Sequence, residues 1–421
     1  MALNDDTQPH TIPATAPAAI RRRRSAIGRL VPSRARRGST GCVSRPIIPP
    51  AATAMKTTIL AFASLLALAP ALHAQRPDAA RLTASVDSFV QANVLARGVT
   101  GVSIVIARGD EAPIVRSYGF ADAGAQRRVD ASTAYRIGSM SKQFTAALVL
   151  KLVDQRKLSL SDTIGRYIAG LKPEWNGVTI EQILNHTAGL PRDWRVPARV
   201  GEDMPRDSLI AMSARSPAPT PPAGTRFGYS NTGYMLLAAL VEKLHGKSYG
   251  AVLRDEIARP LGLSTIGWCG DMEAAGRVAK PYHRTPADTL APVPYIHPSQ
   301  MLAGGICSNA ADIAKWNRAL HGGKVLSAAS YAAMTTPRGT AARAHVPYGL
   351  GLYVRPTPGG GTVIVHDGST PGYVGENVWY PAESLSVTML TNTTGRLGAD
   401  LNLTEEIGRI ALGRAPVPAA P

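Results

Sequence analysis

Short apolar runs at both ends of the chain, with a long stretch of different character between them, constrain the fold most. Gly101 to Ala107 and Pro113 to Phe120, parted by the turn Arg108-Gly-Asp-Glu-Ala, read as a hairpin. Tyr348 to Val354, Thr362 to His366, Gly375 to Tyr380 and Leu385 to Thr391 read as further strands, divided by Gly- and Pro-rich turns. Apolar residues at helical spacing (Leu82, Val86, Phe89, Val90, Val94) put a helix over Asp78 to Arg97, and another follows near Ala399 to Leu412. Strands at both extremes predict one antiparallel sheet built from both chain ends. The region 140–345 is then an inserted, mostly helical part of a mixed α/β (α+β) fold without alternating β-α units. The Pro-rich run Pro217 to Pro222 reads as an exposed loop.

Composition matters mainly through where the charge lies. The formal charge of +17 over 421 residues suggests a nucleic-acid partner until it is located. Nine arginines against Asp5 and Asp6 give residues 1–54 a charge of +7, and 75–421 carries +9 with no arginine run or interleaved aromatic stripe. No nucleic-acid partner is expected. The stretch 1–54, rich in Pro and Arg and without periodicity, reads as a disordered basic extension, most simply upstream sequence read from the wrong start. Residues 55–74 have the form of an export signal: Met55-Lys56, an apolar run from Ile59 to Leu72, and an end at Ala74. That run is too short and wrongly flanked to span a bilayer, and no later segment is long enough. A periplasmic or secreted location is therefore expected, with 75–421 as the folded domain.

Cysteine usage fits that location. Cys42 precedes the signal, leaving Cys269 and Cys307, and two cysteines in an oxidising compartment invite one disulfide; two buried thiols are the alternative.

Three stretches carry chemistry. In Ser139-Met-Ser-Lys142 the residues Phe144, Leu148 and Leu152 place a helix, with Ser139 in its first turn and Lys142 on the same side. A serine hydroxyl needs a base to become a nucleophile, and a desolvated lysine can serve. Of ten lysines only Lys142 has a serine three residues before it. Tyr229-Ser-Asn231 precedes an apolar helix, Tyr234 to Leu244. Either Asn231 caps that helix and Tyr229 packs, or the Tyr229 hydroxyl passes a proton beside Lys142 while the Asn231 amide orients Lys142 and the substrate. His366-Asp-Gly-Ser369 ends the apolar strand Val363 to Val365. There His366 can hydrogen-bond or donate a proton near the leaving group, Gly368 lets substrate approach, and the Ser369 N–H can join that of Ser139 as an oxyanion hole. His321-Gly-Gly323 repeats the His-x-Gly pattern, but it follows the helix Asp312 to Leu320, where glycine is a helix stop.

In this order the three stretches resemble the serine penicillin-binding and β-lactamase-like superfamily, specifically its class C β-lactamase-like group of D-alanyl-D-alanine carboxypeptidases, D-aminopeptidases, β-lactamases and some carboxylesterases. Ile183-Leu-Asn-His-Thr-Ala-Gly-Leu-Pro191, Leu261-Gly-Leu and Gly304-Gly-Ile-Cys-Ser-Asn-Ala-Ala-Asp-Ile-Ala-Lys-Trp316 also match its usual wording, so the resemblance covers about 80–415. It implies a β-lactamase/transpeptidase-like fold, Ser139 as nucleophile, Lys142 as base, Tyr229 and Asn231 as the second element, and His366 with Gly368 as the third. No cofactor is expected, and no metal, since no His or Cys pair has ligand spacing with a nearby carboxylate. Class C β-lactamases carry Lys where this chain has His366, and the His resembles the carboxypeptidase and peptidase branch. The resemblance therefore implies an exported serine hydrolase acting through an acyl-enzyme, of D-Ala-D-Ala carboxypeptidase or D-peptidase type. The β-lactamase and carboxylesterase of the same fold are alternatives, as is a penicillin-binding sensor that turns over slowly. The partner is a small molecule or peptide: a D-amino-acid peptide, a β-lactam or an ester.

Other signals are weaker. Gly246-Lys-Ser-Tyr-Gly250 matches Gly-x-Ser-x-Gly but follows a helix where that motif needs a strand. His186 reads as structural. Arg355, ahead of His366, is expected to be a solvated surface residue, with attraction of a substrate carboxylate as the other option.

Overall fold

The computed structural model describes residues 77–193, 204–215, 221–297, 304–357, 361–395 and 403–414, all within the unit Pro70–Pro421. The basic extension 1–54, the export signal 55–74 and Cys42 lie outside the described residues.

In chain order the elements that place the site are α1 (Ala79–Asn93), β1 (Gly101–Arg108), β2 (Ile114–Asp122), β3 (Arg127–Arg128), β4 (Tyr135–Arg136), α2 (Ser141–Asp154), α3 (Asn231–His245), β5 (Gly267–Trp268), β6 (Ile306–Ser308), α4 (Ala310–His321), β7 (Tyr353–Pro356), β8 (Thr362–Thr370), β9 (Tyr373–Tyr380), β10 (Leu385–Thr391) and α5 (Leu403–Ala411). One sheet runs β3-β2-β1-β10-β9-β8-β7. Its centre joins the two chain ends antiparallel, Val102 opposite Thr391 and Arg108 opposite Leu385. The sheet from both termini and the mixed fold are therefore as the sequence implies.

Both faces of this sheet are covered. Val102, Ile104 and Ile106 of β1 pack with Val363, Val365, Val378 and Val387 beneath α1 (Leu82, Val86, Val90) and α5 (Leu403, Ile407). Val105, Ile364 and Leu390 face the larger core, which holds Phe144 and Leu148 of α2, Leu236 and Leu240 of α3, and Trp316 of α4. Double coverage explains why the strands read as near-continuous apolar runs rather than as alternation. Among the described residues no helix is long and apolar enough to cross a membrane.

Two boundaries differ from the sequence reading. Only Tyr353–Pro356 of the run from Tyr348 is strand; Tyr348 to Leu352 turns back, bridging Tyr348 to Tyr353. β8 continues past its apolar part to Thr370, because pairing with β9 carries on through His366↔Asn377, Gly368↔Gly375 and Thr370↔Tyr373. Backbone pairing, not side-chain polarity, decides where a strand ends.

Candidate active site

The nucleophile candidate sits on a junction that its neighbours dictate. β4 pairs with β6, and one 3₁₀ turn, Gly138–Met140, leads into α2. The helix is buried from Ser141 to Leu150, so Lys142, three residues after Ser139, is carried inside with no exposed surface. Gly138 has φ +53°, and a Cβ there would lie 2.8 Å from the Ser369 nitrogen. A side chain at 138 would be strained and would push β8 away.

Lys142 Nζ donates to Ser139 Oγ at 3.0 Å and to Asn231 Oδ1 at 2.8 Å. Burial disfavours the ammonium and lowers its pKa to about 7, against the opposing pull of the Asp367 and Asp193 carboxylates. Near neutrality much of Lys142 is a free amine, whose lone pair can accept the Ser139 proton.

α3 supplies the second element. Its N-cap is Ser230, not Asn231: the Ser230 hydroxyl accepts the Gly233 N–H at 3.0 Å and donates to the Pro191 carbonyl at 2.6 Å. With the cap filled, the Asn231 amide is left to face Lys142, and its Nδ2 donates to Asp193 Oδ1 at 2.6 Å, which fixes the oxygen towards Nζ. The Ser230 N–H donates to His186 Nδ1 at 3.0 Å, and the His186 ring lies 4.3 Å from that of Tyr229. His186 is thus a buried support, held uncharged by burial. The Tyr229 ring lies 4.7 Å from Lys142 Nζ. Burial raises the Tyr229 pKa well above 10, although the neighbouring Ser139 hydroxyl pulls it down. A phenol so disposed stays protonated and can pass a proton on but not start by removing one, whereas the Lys142 amine can accept one.

The third element is brought to the same place. A Cβ on Gly368 would lie 2.0 Å from the Ile137 carbonyl oxygen and 3.1 Å from the Ser139 nitrogen, so β8 runs tight against the nucleophile's turn and the Ser369 and Ser139 N–H groups are neighbours. His366 is fully buried. Its Nδ1 donates to the Asp367 carbonyl at 2.7 Å, and its Nε2 accepts from the Tyr348 hydroxyl at 3.0 Å. Burial lowers its pKa to about 4, outweighing the nearby Asp367 carboxylate. Both ring nitrogens are thus engaged, and the ring centroid lies 6.4 Å from that of Tyr229.

Cys269 and Cys307 are disulfide-bonded, with Cα atoms 4.8 Å apart. They lie near Glu273, but joined sulfurs offer no thiolate to a metal. The bridge anchors β6, whose neighbour Gly304 packs against Gly138. Arg355 is half-buried and paired rather than freely solvated: it bonds Glu405 and lies 3.5 Å from Glu376. His321 stacks on Trp379 with centroids 4.6 Å apart. Sequence reasoning missed Tyr348, Asp193 and Ser230, which hold the machinery; only Ser230 left a local signal, a serine directly before a helix.

Comparison with known proteins gives a consistent result. The family described as Beta-lactamase matches residues 21–411. An unguisins hydrolase of Aspergillus campestris is 31% identical over 70% of this chain and 59% of its own length. The D-alanyl-D-alanine-carboxypeptidase/endopeptidase AmpH of Escherichia coli K12 is 28% identical, covering 62% of this chain and 69% of its own length. The matched region thus spans about three-fifths of the first of these relatives. Among solved structures, the octameric penicillin-binding protein homologue from Pyrococcus abyssi superposes with a TM-score of 0.67, at 26% identity and over 79% of this chain and 78% of that one.

Proposed function

Because this chain belongs to the β-lactamase family of serine hydrolases, we propose that it hydrolyses amide or ester bonds through an acyl-enzyme on Ser139, with D-amino-acid peptides as its substrate class. Lys142 takes the Ser139 proton as Oγ attacks the carbonyl carbon. The oxyanion is met by the N–H groups of Ser139 and Ser369, and Tyr229 passes the proton to the departing amine or alkoxide. Water, deprotonated by the same Lys142–Tyr229 pair, then attacks the ester and releases the acid.

The observation that carries this reading is a buried Lys142, its pKa lowered to about 7 by burial, whose Nζ is shared between Ser139 Oγ and Asn231 Oδ1. D-peptide substrates are supported by the relation to the D-alanyl-D-alanine-carboxypeptidase/endopeptidase and by His366 in place of lysine. We also propose that the enzyme is exported by residues 55–74 and works in the periplasm or outside the cell, on a small-molecule or peptide partner. An esterase or β-lactamase of this fold, or a penicillin-binding sensor, would use the same acylation and differ in what departs and how fast.

Ser139→Ala is expected to abolish both p-nitrophenyl acetate hydrolysis and covalent labelling by fluorescent penicillin, with an unaltered circular dichroism spectrum. Activity near wild type would refute the site. Labelling of the wild type that never decays would instead favour the sensor.

A further inference from the structure

We propose that Asp367 makes the mouth of the Ser139 site a binding place for a cationic group on the substrate, an ammonium borne near the scissile carbonyl, and disfavours acyl donors carrying a carboxylate there. The inference rests on the Ser139 reading and narrows its substrate class.

Position comes first. β7 pairs with β8 only as far as Val365, so from His366 onward β8 has an edge free of β7, while its other edge is paired with β9. Asp367 occupies that stretch beside Gly368, which touches the Ile137–Ser139 turn. Its side chain is 68% exposed, whereas His366 before it is fully buried. The carboxylate comes no nearer to a described cation-capable group than 3.9 Å from His366 Nδ1, and that nitrogen already gives its proton to the Asp367 carbonyl. Among the described residues no hydrogen bond reaches the Asp367 carboxylate.

The charges facing it are few, and its cross-strand partner on β9 is another carboxylate, Glu376. Arg192 lies 5.3 Å from the Tyr229 ring and is matched by Asp193 at 3.7 Å, which in turn holds Asn231. Arg355 is committed to Glu376 and Glu405. Lys142 is the remaining cation, and the base form that starts the reaction carries no charge. The reactive state therefore leaves one uncompensated carboxylate among the described groups at the mouth. Its field reaches the catalytic groups, raising the pKa of Lys142 and of Tyr229. What it does to those groups it does to a charge on the substrate, favouring an ammonium and repelling a carboxylate.

The test compares D-alanine p-nitroanilide, its N-acetyl and its N-succinyl derivatives, which present positive, neutral and negative charge on one scissile bond. Where turnover is slow, the same three are read as competitors of p-nitrophenyl acetate hydrolysis. Wild-type kcat/KM, or affinity as a competitor, is expected to fall in that order. Asp367→Asn should shrink the amine-to-succinyl ratio by about fivefold or more, and added salt should shrink it in the wild type but little in the variant. A ratio within twofold of wild type in Asp367→Asn overturns the inference. Failure of the Ser139 reading looks different: p-nitrophenyl acetate hydrolysis would then survive Ser139→Ala.

Discussion

Lys142 is a cation by chemistry and a core residue by placement, and both properties can be measured. Its pKa of about 7 in the folded chain lies below the ordinary lysine value of 10.5, chiefly because it is buried. kcat/KM should therefore rise through pH about 7 as the amine loses its proton. Stability has a matching dependence. Between about pH 7 and 10.5 the unfolded chain holds a proton on Lys142 that the folded chain lacks, so stability increases with pH across that window, and the penalty for burying the charge is fully felt below it. Lys142→Met should lower kcat/KM by several orders of magnitude yet raise the melting temperature, more at pH 6 than at pH 9. A melting temperature that fell equally at both would mean that the amine is not desolvated. At this scale Ser139, Lys142, Tyr229 and Asn231 were legible because each motif pairs residue types at one spacing. Tyr348 and Asp193 were not, since a residue that acts by touching a distant side chain leaves no local pattern.

The elements matter here through where they stop and how closely they pass. The α3 cap is Ser230 rather than Asn231, and that one-residue difference separates a structural asparagine from one aimed at Lys142. β8 looked finished at His366 because its apolar residues end there, but the ladder to β9 has no need of apolar side chains. Its contact with the nucleophile's turn allows no added atom: a methyl on Gly368 would meet the Ile137 carbonyl oxygen at 2.0 Å. Gly368→Ala should force the strand edge outward. It should lower kcat/KM by about a hundredfold and destabilise by about 1–3 kcal/mol, read by steady-state kinetics and urea melts. Full activity would mean that β8 does not border the reacting carbonyl.

For the whole molecule, the sheet from both ends was readable from strand-rich extremes, and the covered faces from their unbroken apolar runs. The sequence could not say which cysteine arrangement prevails, since spacing alone does not bring two sulfurs together. The bond closes a loop of 38 residues and is expected to contribute about 3–4 kcal/mol in the chain-entropy account. Reduction, or the double change Cys269→Ser with Cys307→Ser, should lower the melting temperature by many degrees. An unchanged transition with and without dithiothreitol would show that the bridge is not formed in solution.

Because Val102 lies opposite Thr391, β1 is covered on one edge by β2 but waits on the other for β10, made after the whole helical region, and it is β10 with β9 that ties β8 to that hairpin. A nascent chain that has not reached β10 holds the helix of Ser139 without the sheet that seats β8 beside it, so the proposed reactivity arrives late in synthesis.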